Sequence, residues 1–438
     1  MDGIDRQPVD KWIIDPMKRF FSNSITSGIL LFTSAILAMI ISNSPWSEQF
    51  HHFWEINFSI GFGSYQLSKS IHHWINDGLM AVFFFVVGLE LKREIIAGEL
   101  RDVRKAMLPI AAALGGMIVP AIIYFAINRE GEPSNGWGIP MATDIAFALG
   151  VLYLLGDRVP ISLKIFLTAL AITDDLGAVL VIAFFYTSEI NFMSLLLGGL
   201  FLLVLFIANR TGVRNTLFYA ILGIGGLWLA FLLSGVHATI AAVLLAFTIP
   251  ANVKVSENFF NEKLQHLLSA FKEAKPNNLP TVTNEQLHLL EEIKHLSDHA
   301  TTPLQKLEHS LHPFVSFIIM PVFAFSNAGV TLSGDVWAHL LSPISLGVFF
   351  GLLIGKVVGV LGMVGIFVKF KLAELPKEIT RQHLVGAGFL AAIGFTMSLF
   401  VAGLAFENET YITEAKLGIL AASLVASIIG YTIIRKAS

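Results

Sequence analysis

The chain contains no cysteine and little charge. Without cysteine among its 438 residues, disulfide bonds, thiol catalysis and cysteine-ligated metal sites are excluded. Charged residues make up only 14% of the sequence, against about a quarter in a soluble domain, while hydrophobic residues make up 55%. A Gly-rich phosphate loop ending in Lys-Ser/Thr is also missing, which argues against ATP-driven work. The composition therefore predicts an all-α protein that crosses a membrane many times.

Twelve apolar segments have roughly the length that a bilayer requires. They lie near 22–42, 74–97, 107–127, 138–155, 162–187, 191–208, 216–230, 235–249, 308–330, 341–368, 383–406 and 413–434. The seventh and eighth are short, and fit either one hairpin or an interrupted pair. An even number of spans places both termini on one side of the membrane.

The distribution of Lys and Arg indicates which side that is. Twenty-five of the 29 basic residues fall in tails and loops on the face of the termini, while only Lys69 and Arg129 lie on the opposite face. Lys356 lies inside a span and Lys416 at the edge of the last one. Because basic residues accumulate in cytoplasmic loops, the sequence predicts that both termini are cytoplasmic.

The fourth and eleventh spans are interrupted by Gly or Pro clusters and lie seven spans apart, so they cross the membrane in opposite senses. Interrupted segments at corresponding places of two halves are typical of inverted repeats whose broken helices cross at the membrane midplane. The predicted order is a cytoplasmic tail at 1–21, interface spans at 22–106 with an outer β-hairpin at 45–70, a core repeat at 107–187, interface spans at 188–250, a cytoplasmic helical loop at 251–302, a ninth span with an outer loop at 303–340, and a second core repeat at 341–438.

The outer stretch at 45–70 combines aromatic residues with an alternating pattern around a Gly-rich centre, from Asn57 to Leu67. That pattern predicts a β-hairpin. An exposed strand edge can pair with a second copy, so we expect a homodimer that forms through this hairpin. The inner stretch at 251–302 carries two helical stripes of apolar residues. After it, Thr302-Pro303-Leu304-Gln305 predicts a capping box at the start of the ninth span.

Ionisable residues inside three apolar segments carry the functional signal. They are Asp144, the adjacent pair Asp174 and Asp175, and Lys356. A charged side chain at the centre of a membrane helix costs roughly 2.5–3.5 kcal/mol on insertion scales, so ion or proton transport is the leading explanation. Successive residues on a helix point about 100° apart, so one aspartate can face an ion pocket while the other faces a neighbouring helix. We expect this pair to bind an ion or a proton.

Asp144 and Lys356 suit the ends of broken helices. Half-helices leave positive N-termini and negative C-termini at the midplane, which an Asp and a Lys respectively would balance. The structural alternative is a buried Asp that pairs with Lys or caps a helix, and glycine content alone also fits close helix packing. Gly351, Gly355 and Gly359 form a spacing typical of such packing.

A second cluster lies where spans meet the cytoplasm: Glu90, Arg93, Glu94, Glu308, His309 and His312. It fits either a proton-responsive entrance, since histidine titrates near neutral pH, or ordinary interfacial charges. His237 fits an interhelical hydrogen bond better than a ligand. Asp77 opens the second span and fits either a helix cap or an ion path.

At these residues the chain resembles the NhaA-type sodium/proton antiporter family, which is itself a reference example of inverted repeats. The matching strings include Gly88-Leu89-Glu90-Leu91-Lys92-Arg93-Glu94, Ala142-Thr143-Asp144-Ile145-Ala146, Asp174-Asp175-Leu176-Gly177-Ala178, Gly235-Val236-His237-Ala238-Thr239, Leu307-Glu308-His309-Ser310-Leu311-His312 and Gly394-Phe395-Thr396-Met397-Ser398. They follow the family order across nearly the whole chain.

The resemblance implies exchange of Na⁺ or Li⁺ for protons across a bacterial inner membrane, without an enzymatic reaction, a cofactor or a nucleic-acid partner. It implies that Asp175 is the principal cation and proton carboxylate, and that Asp174 is its partner and pairs with Lys356 in one state. Thr143 and Asp144 match the broken helix beside the site, the second cluster matches a pH-responsive region, and the hairpin matches a dimer contact. The segment at 251–302 is longer than the family pattern.

Two rival classes remain open at this stage. An intramembrane aspartyl protease needs two catalytic aspartates on separate helices, which Asp144 and Asp175 could imitate, although the Gly-x-Gly-Asp string of that class is missing. A cation channel or ion sensor would need the carboxylates without proton coupling.

Overall fold

The computed structural model describes residues 24–62, 65–187, 190–274, 281–332 and 336–437. The predicted tail at 1–21 lies outside them. The face that carries the segment at 251–302 is called the inner face below, and the face that carries residues 45–70 the outer face.

Helices make up most of the described chain. The first nine are α1 (Ser24–Ser42), α2 (Ser47–Glu55), α3 (Met80–Ala97), α4 (Val103–Ile127), α5 (Ile145–Tyr153), α6 (Ile161–Phe185), α7 (Phe192–Arg210), α8 (Thr216–Ser234) and α9 (Ala238–Thr248). The remainder are α10 (Glu257–Glu273), α11 (Asn284–Ala300), α12 (Pro303–Asn327), α13 (Val336–Leu340), α14 (Pro343–Lys369), α15 (Arg381–Ala391), α16 (Phe395–Ala405) and α17 (Glu409–Ala437). A π-helical turn at Trp74–Leu79 leads into α3, and a 3₁₀ segment at Glu132–Met141 precedes α5.

Eight helices of the described chain are long and apolar enough to cross a membrane, or ten if each of two bent pairs counts as one span. The bent pairs are α1 with α2, at 114°, and α15 with α16, at 42°. The protein is therefore a multi-pass membrane protein. Fewer than the predicted twelve spans meet this criterion of length and composition. Two predicted spans fail it, because α3 ends in a charged turn and α9 has only 11 residues, roughly 16 Å of helix.

The predicted capping box at the start of α12 is confirmed. The Thr302 hydroxyl accepts a hydrogen bond from the Gln305 N–H at 3.1 Å, and the Gln305 side chain accepts one from the Thr302 N–H at 3.4 Å. Pro303 occupies the first turn, where its missing N–H costs nothing. The span therefore begins at Pro303 rather than near residue 308.

A core bundle forms around the close contact of α4 with α14, which are the first helices of the two predicted repeats. Glycine permits this approach: a Cβ on Gly115 would collide with the Gly359 carbonyl, and a Cβ on Gly359 with that of Gly115. Gly351 and Gly355 meet prolines in the same way. The remaining members of the bundle are the interrupted helices 132–153 and 381–405, together with α6 and α17.

A second layer packs beside the core bundle and consists of α3, α7, α8 and α9. Gly88 of α3 lies directly against Ala246 of α9. The Lys92 ammonium donates hydrogen bonds to the carbonyls of Phe247, at 2.7 Å, and Ile249 at the end of α9. A cation at a helix C-terminus is favourable, so Lys92 fastens the short α9 to α3.

On the outer face, β1 (Asn57–Phe62) and β2 (Tyr65–Ser70) pair antiparallel, with Asn57 opposite Ser70. Residues 63–64 lie outside the described chain. The Trp74 indole donates a hydrogen bond to the Phe58 carbonyl at 2.8 Å and so ties the hairpin to the start of the second span. The Phe58 and Ile60 side chains are 55% and 53% exposed, so this strand presents apolar surface away from the protein.

On the inner face, α10 and α11 pack against each other and form what is called the inner helical hairpin. Leu267 and Leu296 are buried. The base of the hairpin is tied to the membrane helices by Arg214, which donates hydrogen bonds to the carbonyls of Asn252 at 2.7 Å and Thr301 at 2.9 Å. Residues 275–280 lie outside the described chain.

Candidate functional site

The two interrupted helices meet at their breaks. The first break, at 142–144, lies between the 3₁₀ segment and α5, and the second, at 392–394, lies between α15 and α16. The Asp144 N–H donates a hydrogen bond to the Ile393 carbonyl at 2.7 Å. Each half of the core thus has a continuous helix, an interrupted helix and a second continuous helix, and the predicted crossing of two interrupted helices is confirmed.

Asp144 binds the N-terminal turns of both half-helices. One carboxylate oxygen accepts a hydrogen bond from the Phe147 N–H at 2.9 Å, at the start of α5. The other accepts from the Thr396 N–H at 3.1 Å and from the Thr396 hydroxyl, at the start of α16. A helix N-terminus carries about half a positive charge, so two of them together offset one carboxylate.

Lys356 pairs with Asp174. The Lys356 ammonium lies 2.7 Å from one Asp174 carboxylate oxygen, and both side chains are fully buried. The ammonium also donates a hydrogen bond to the Met141 carbonyl, at the last residue of the 3₁₀ segment. Lys356 therefore neutralises Asp174 and also compensates a helix C-terminus.

Thr143 connects this ion pair to the second interrupted helix. Its hydroxyl lies 2.8 Å from the Asp174 oxygen that Lys356 contacts, and 2.8 Å from the Ala391 carbonyl at the end of α15. A hydroxyl has one hydrogen to donate, so it can bond to only one of these two acceptors at a time. A change of charge on Asp174 would therefore alter the contact between the two breaks.

Asp175 differs from its neighbour in having no such compensation. The residue is 1% exposed. Among the described residues, neither of its carboxylate oxygens has a hydrogen-bond partner, and neither does the second oxygen of Asp174. Three buried oxygens thus remain available to a proton or to a hard cation, which prefers oxygen ligands. A buried ionised carboxylate without hydrogen bonds is costly, so either a proton or a cation must neutralise it.

A vestibule of about 700 Å³ opens from the inner face toward these carboxylates. Its deep end is lined by Ala146, two residues beyond Asp144, and by Ile172, on the turn of α6 that precedes Asp174. Five residues of the second predicted cluster also line it, and these are Glu90, Arg93, Glu308, His309 and His312.

The charged groups of this vestibule form one network across α3 and α12. Arg93 binds Glu308 at 2.6 Å and Glu94 at 2.9 Å, which brings Glu94 into the network. His312 Nε2 lies 4.0 Å from a Glu90 carboxylate oxygen. His309 and His312 are exposed to the vestibule, while Glu308 is buried. The structure thus brings the whole predicted cluster together at the vestibule.

Asp77 and His237 lie apart from the carboxylates and from the vestibule lining. The His237 Nε2–H donates a hydrogen bond to the Tyr186 carbonyl at 2.7 Å, just beyond the end of α6, which is the interhelical role predicted for it. Asp77 lies inside the π-helical turn before α3, and its backbone carbonyl accepts a hydrogen bond from the Trp228 indole at 3.4 Å.

Two serines of the site were missed by the sequence reasoning. The Ser398 hydroxyl donates a hydrogen bond to the Ile139 carbonyl at 2.8 Å, and the Ser423 hydroxyl of α17 accepts one from the Phe395 N–H at 3.2 Å. Both hold α16 in position at the crossing. A serine at an apolar position of a span is the available signal, but serines occur singly in other spans too.

Comparison with known proteins decides the family. The model of the family described as Na⁺/H⁺ antiporter 1 matches residues 18–434. The chain belongs to this family. It is 51% identical to the Na⁺/H⁺ antiporter NhaA of Oleidesulfovibrio alaskensis, over 99% of this chain and 96% of that protein. It is 46% identical to the Na⁺/H⁺ antiporter NhaA 1 of Saccharophagus degradans, over 99% of this chain and 95% of that protein.

The resemblance to NhaA-type antiporters that the motifs indicated is thereby confirmed, and the family is one of transporters. A solved structure of the sodium–proton antiporter MjNhaP1 from Methanocaldococcus jannaschii at pH 8 is also similar, with a TM-score of 0.47 and 12% identity. The alignment covers 93% of this chain and 90% of that one. This likeness is distant.

Proposed function

We propose that this chain exchanges Na⁺, or Li⁺, for protons at Asp174 and Asp175 by alternating access. The main support for this proposal is the balance of charges where the two interrupted helices cross. The two half-helix N-termini offset Asp144, and Lys356 offsets Asp174, but no described side chain forms a hydrogen bond or an ion pair with Asp175. One buried negative charge therefore requires either a proton or a metal cation.

Competition for the same oxygens would couple the two ions. When a proton neutralises Asp175, the site loses the charge that attracts Na⁺, and when Na⁺ binds, the proton must leave. Bound Na⁺ would also compete with the Lys356 ammonium for Asp174, because both are cations at the same carboxylate. Thr143 adds a hydroxyl oxygen beside this position. Asp144 binds Thr396 and the two helix N-termini. It would hold the two half-helices together and contribute to the electrostatic potential at the site.

The vestibule supports access from the inner face in this conformation. It connects the inner face with the surroundings of the carboxylates, so ions would enter from the side that the Lys and Arg distribution assigns to the cytoplasm. The network of Arg93 with Glu308 and Glu94, together with His309 and His312, would make that entrance sensitive to pH, since histidine changes charge near neutral pH.

The remaining parts of the proposal concern location and assembly. We expect a bacterial inner membrane protein with both termini in the cytoplasm and a homodimer that forms through the outer hairpin. In the transport cycle, the core bundle would move against α3, α7, α8 and α9, and so carry the carboxylates from one side to the other. Such exchange would serve pH and sodium homeostasis.

An amide at position 175 tests the proposal. Asp175→Asn should abolish Na⁺-dependent dissipation of an imposed pH gradient in vesicles that contain the purified protein, because an amide neither titrates nor attracts Na⁺ strongly. Glu407→Gln, an acid-to-amide change at an exposed position between α16 and α17, should leave exchange intact. A folded Asp175→Asn protein that still dissipated the gradient with Na⁺ would overturn the assignment.

A further inference from the structure

A groove on the inner face is lined by basic and apolar residues. It shares no residue with the carboxylate site. It lies between the start of α15 and the end of α17 and has a volume of about 330 Å³. Its lining consists of Arg381, Gln382, Val385, Ile433 and Lys436. No acidic side chain is among the described residues that line it, and its surface consists almost entirely of carbon atoms, including those of the Arg381 and Lys436 stems, whose charged ends lie at the rim.

The position of the groove along its helices places it at the membrane surface. Arg381 is the first residue of α15 and Lys436 the last but one of α17, and both side chains are exposed. Val385 and Ile433, one turn deeper, are half-buried. The two helices touch just beyond, where a Cβ on Gly386 would collide with Ile434 and one on Gly430 with Leu390. The groove is thus basic at its mouth, apolar along its walls and closed at its deep end.

We propose that this groove binds one anionic phospholipid of the inner leaflet. Its phosphate would lie between Arg381 and Lys436, and the first part of an acyl chain would lie along Val385 and Ile433. Anionic headgroups attract basic residues at a membrane surface by about 1 kcal/mol each, which is about fivefold in affinity. The apolar walls distinguish this ligand from a soluble phosphate, which would gain nothing from them.

The occupied groove would join the start of α15 to the end of α17. Both helices belong to the core bundle, and α15 leads directly into the break beside Asp144. Because a ligand that binds only the folded state raises its stability, the lipid should stabilise the core bundle at its inner end.

Thermal unfolding of the full-length protein in a neutral detergent tests the proposal. Phosphatidylglycerol should raise the melting temperature, while phosphatidylcholine and inorganic phosphate at equal concentration should raise it less. In Arg381→Gln with Lys436→Gln, the midpoint of the phosphatidylglycerol titration should rise about 25-fold, that is about fivefold for each basic residue. Arg435→Gln and Lys369→Gln, exposed basic residues of the same face outside the groove, are the matched controls and should leave the midpoint unchanged.

Further variants separate the two parts of the ligand and the two functions. Val385→Trp, which fills the groove, should weaken the phosphatidylglycerol effect although both cations remain, and Arg381→Lys with Lys436→Arg should preserve it. Asp175→Asn should show the full lipid effect, because the groove shares no residue with the carboxylate site. Equal loss in the controls, an unchanged midpoint in the double variant, or full replacement of the lipid by inorganic phosphate would each overturn the proposal.

Discussion

At the scale of single residues, three aspartates of the same chemistry have three different environments. Asp144 accepts hydrogen bonds from two helix N-termini, Asp174 pairs with an ammonium, and Asp175 has no hydrogen-bond partner among the described residues. The difference arises from geometry alone, since Asp174 and Asp175 are adjacent and point about 100° apart on α6. Lys356 lies on the side of Asp174, which leaves Asp175 as the carboxylate to which the proposed function assigns ion binding.

The ion pair of Lys356 with Asp174 can be tested by removing one partner or both. Lys356→Ala should lower the free energy of unfolding by about 3–5 kcal/mol, because it leaves a buried carboxylate unpaired. Lys356→Gln with Asp174→Asn should recover much of that loss, since two amides can hydrogen-bond without any charge, but exchange should stay abolished. Unfolding in detergent and exchange in vesicles measure the two effects separately.

Lys369→Ala, at the exposed end of the same helix, is the control and should change neither stability nor transport. If Lys356→Ala unfolds at the same temperature as the unmodified protein, the ion pair contributes nothing to the fold.

At the scale of elements, the inner helical hairpin is fastened at its base rather than along its length. Arg214 holds its two ends, and the Lys306 ammonium lies 2.7 Å from an Asp298 carboxylate oxygen. Lys306 lies on α12, two residues before Glu308, so the base of the hairpin adjoins the network of the vestibule. A force on the hairpin would therefore act on the helix that carries His309 and His312.

The salt bridge at this base is not itself a sensor of neutral pH. The hydrogen bond from Lys306 and its charge lower the pKa of Asp298 from its ordinary value. A carboxylate with a lowered pKa contributes stability above its ordinary pKa, near 4, and loses that contribution as the pH falls through the lowered value. The contact is therefore constant between pH 6 and 9, and any response in that range must come from other groups.

Replacing residues 256–298 with a short Gly/Ser linker should shift the dependence of exchange on pH, because α12 would lose the two packed helices that precede it, while the Arg214 contacts to Asn252 and Thr301 and the carboxylate site stay intact. Exchange rates measured from pH 6 to 9 in both proteins provide the comparison. Asp298→Asn, which removes only the salt bridge, is the control and should keep the original profile. Superimposable curves for the linker protein and the unmodified protein would mean that the hairpin is a passive spacer.

Reasoning from the residues reached the elements and the candidate residues, whereas the pairing of Asp174 with Lys356 was implied only by the family resemblance. The contrast between charge and apolar surroundings identified Asp144, Asp174, Asp175 and Lys356, since that contrast is local to each segment. The choice of Asp174 over Asp175 as the partner of Lys356 depends on how α6 rotates against α14, which no local pattern encodes. For the same reason, the contacts of Ser398 and Ser423 became visible only in three dimensions.

Span length was harder to predict than span position. The apolar segment at 235–249 contains a helix of only 11 residues, because Gly235, with a φ of 83°, ends α8 in a left-handed turn and His237 precedes α9. Hydropathy counts the turn as part of the span, since its residues are also apolar. The segment at 74–97 likewise contains a π-helical turn and a charged end.

At the scale of the whole molecule, the outer hairpin is the surface proposed for assembly. Deleting Phe58 to Leu67 should convert a dimer in detergent into monomers, because it removes both the strand pairing and the exposed Phe58 and Ile60. Light scattering coupled to size-exclusion chromatography measures the mass of each form. Ser59→Ala, which removes only a hydrogen bond to Ser68 across the strands, is the control and should remain dimeric. If the deletion protein keeps the mass of a dimer, the interface lies on the membrane helices instead.

The contact of Gly115 with Gly359 has a mechanical consequence. Two backbones in direct contact have no side chains between them that could change rotamer, so this seam cannot yield as a layer of leucines would. At this contact α4 and α14 would then move together, so that a displacement of one helix would be passed directly to the other. Any bending during the cycle would have to occur outside the contact of Gly115 with Gly359.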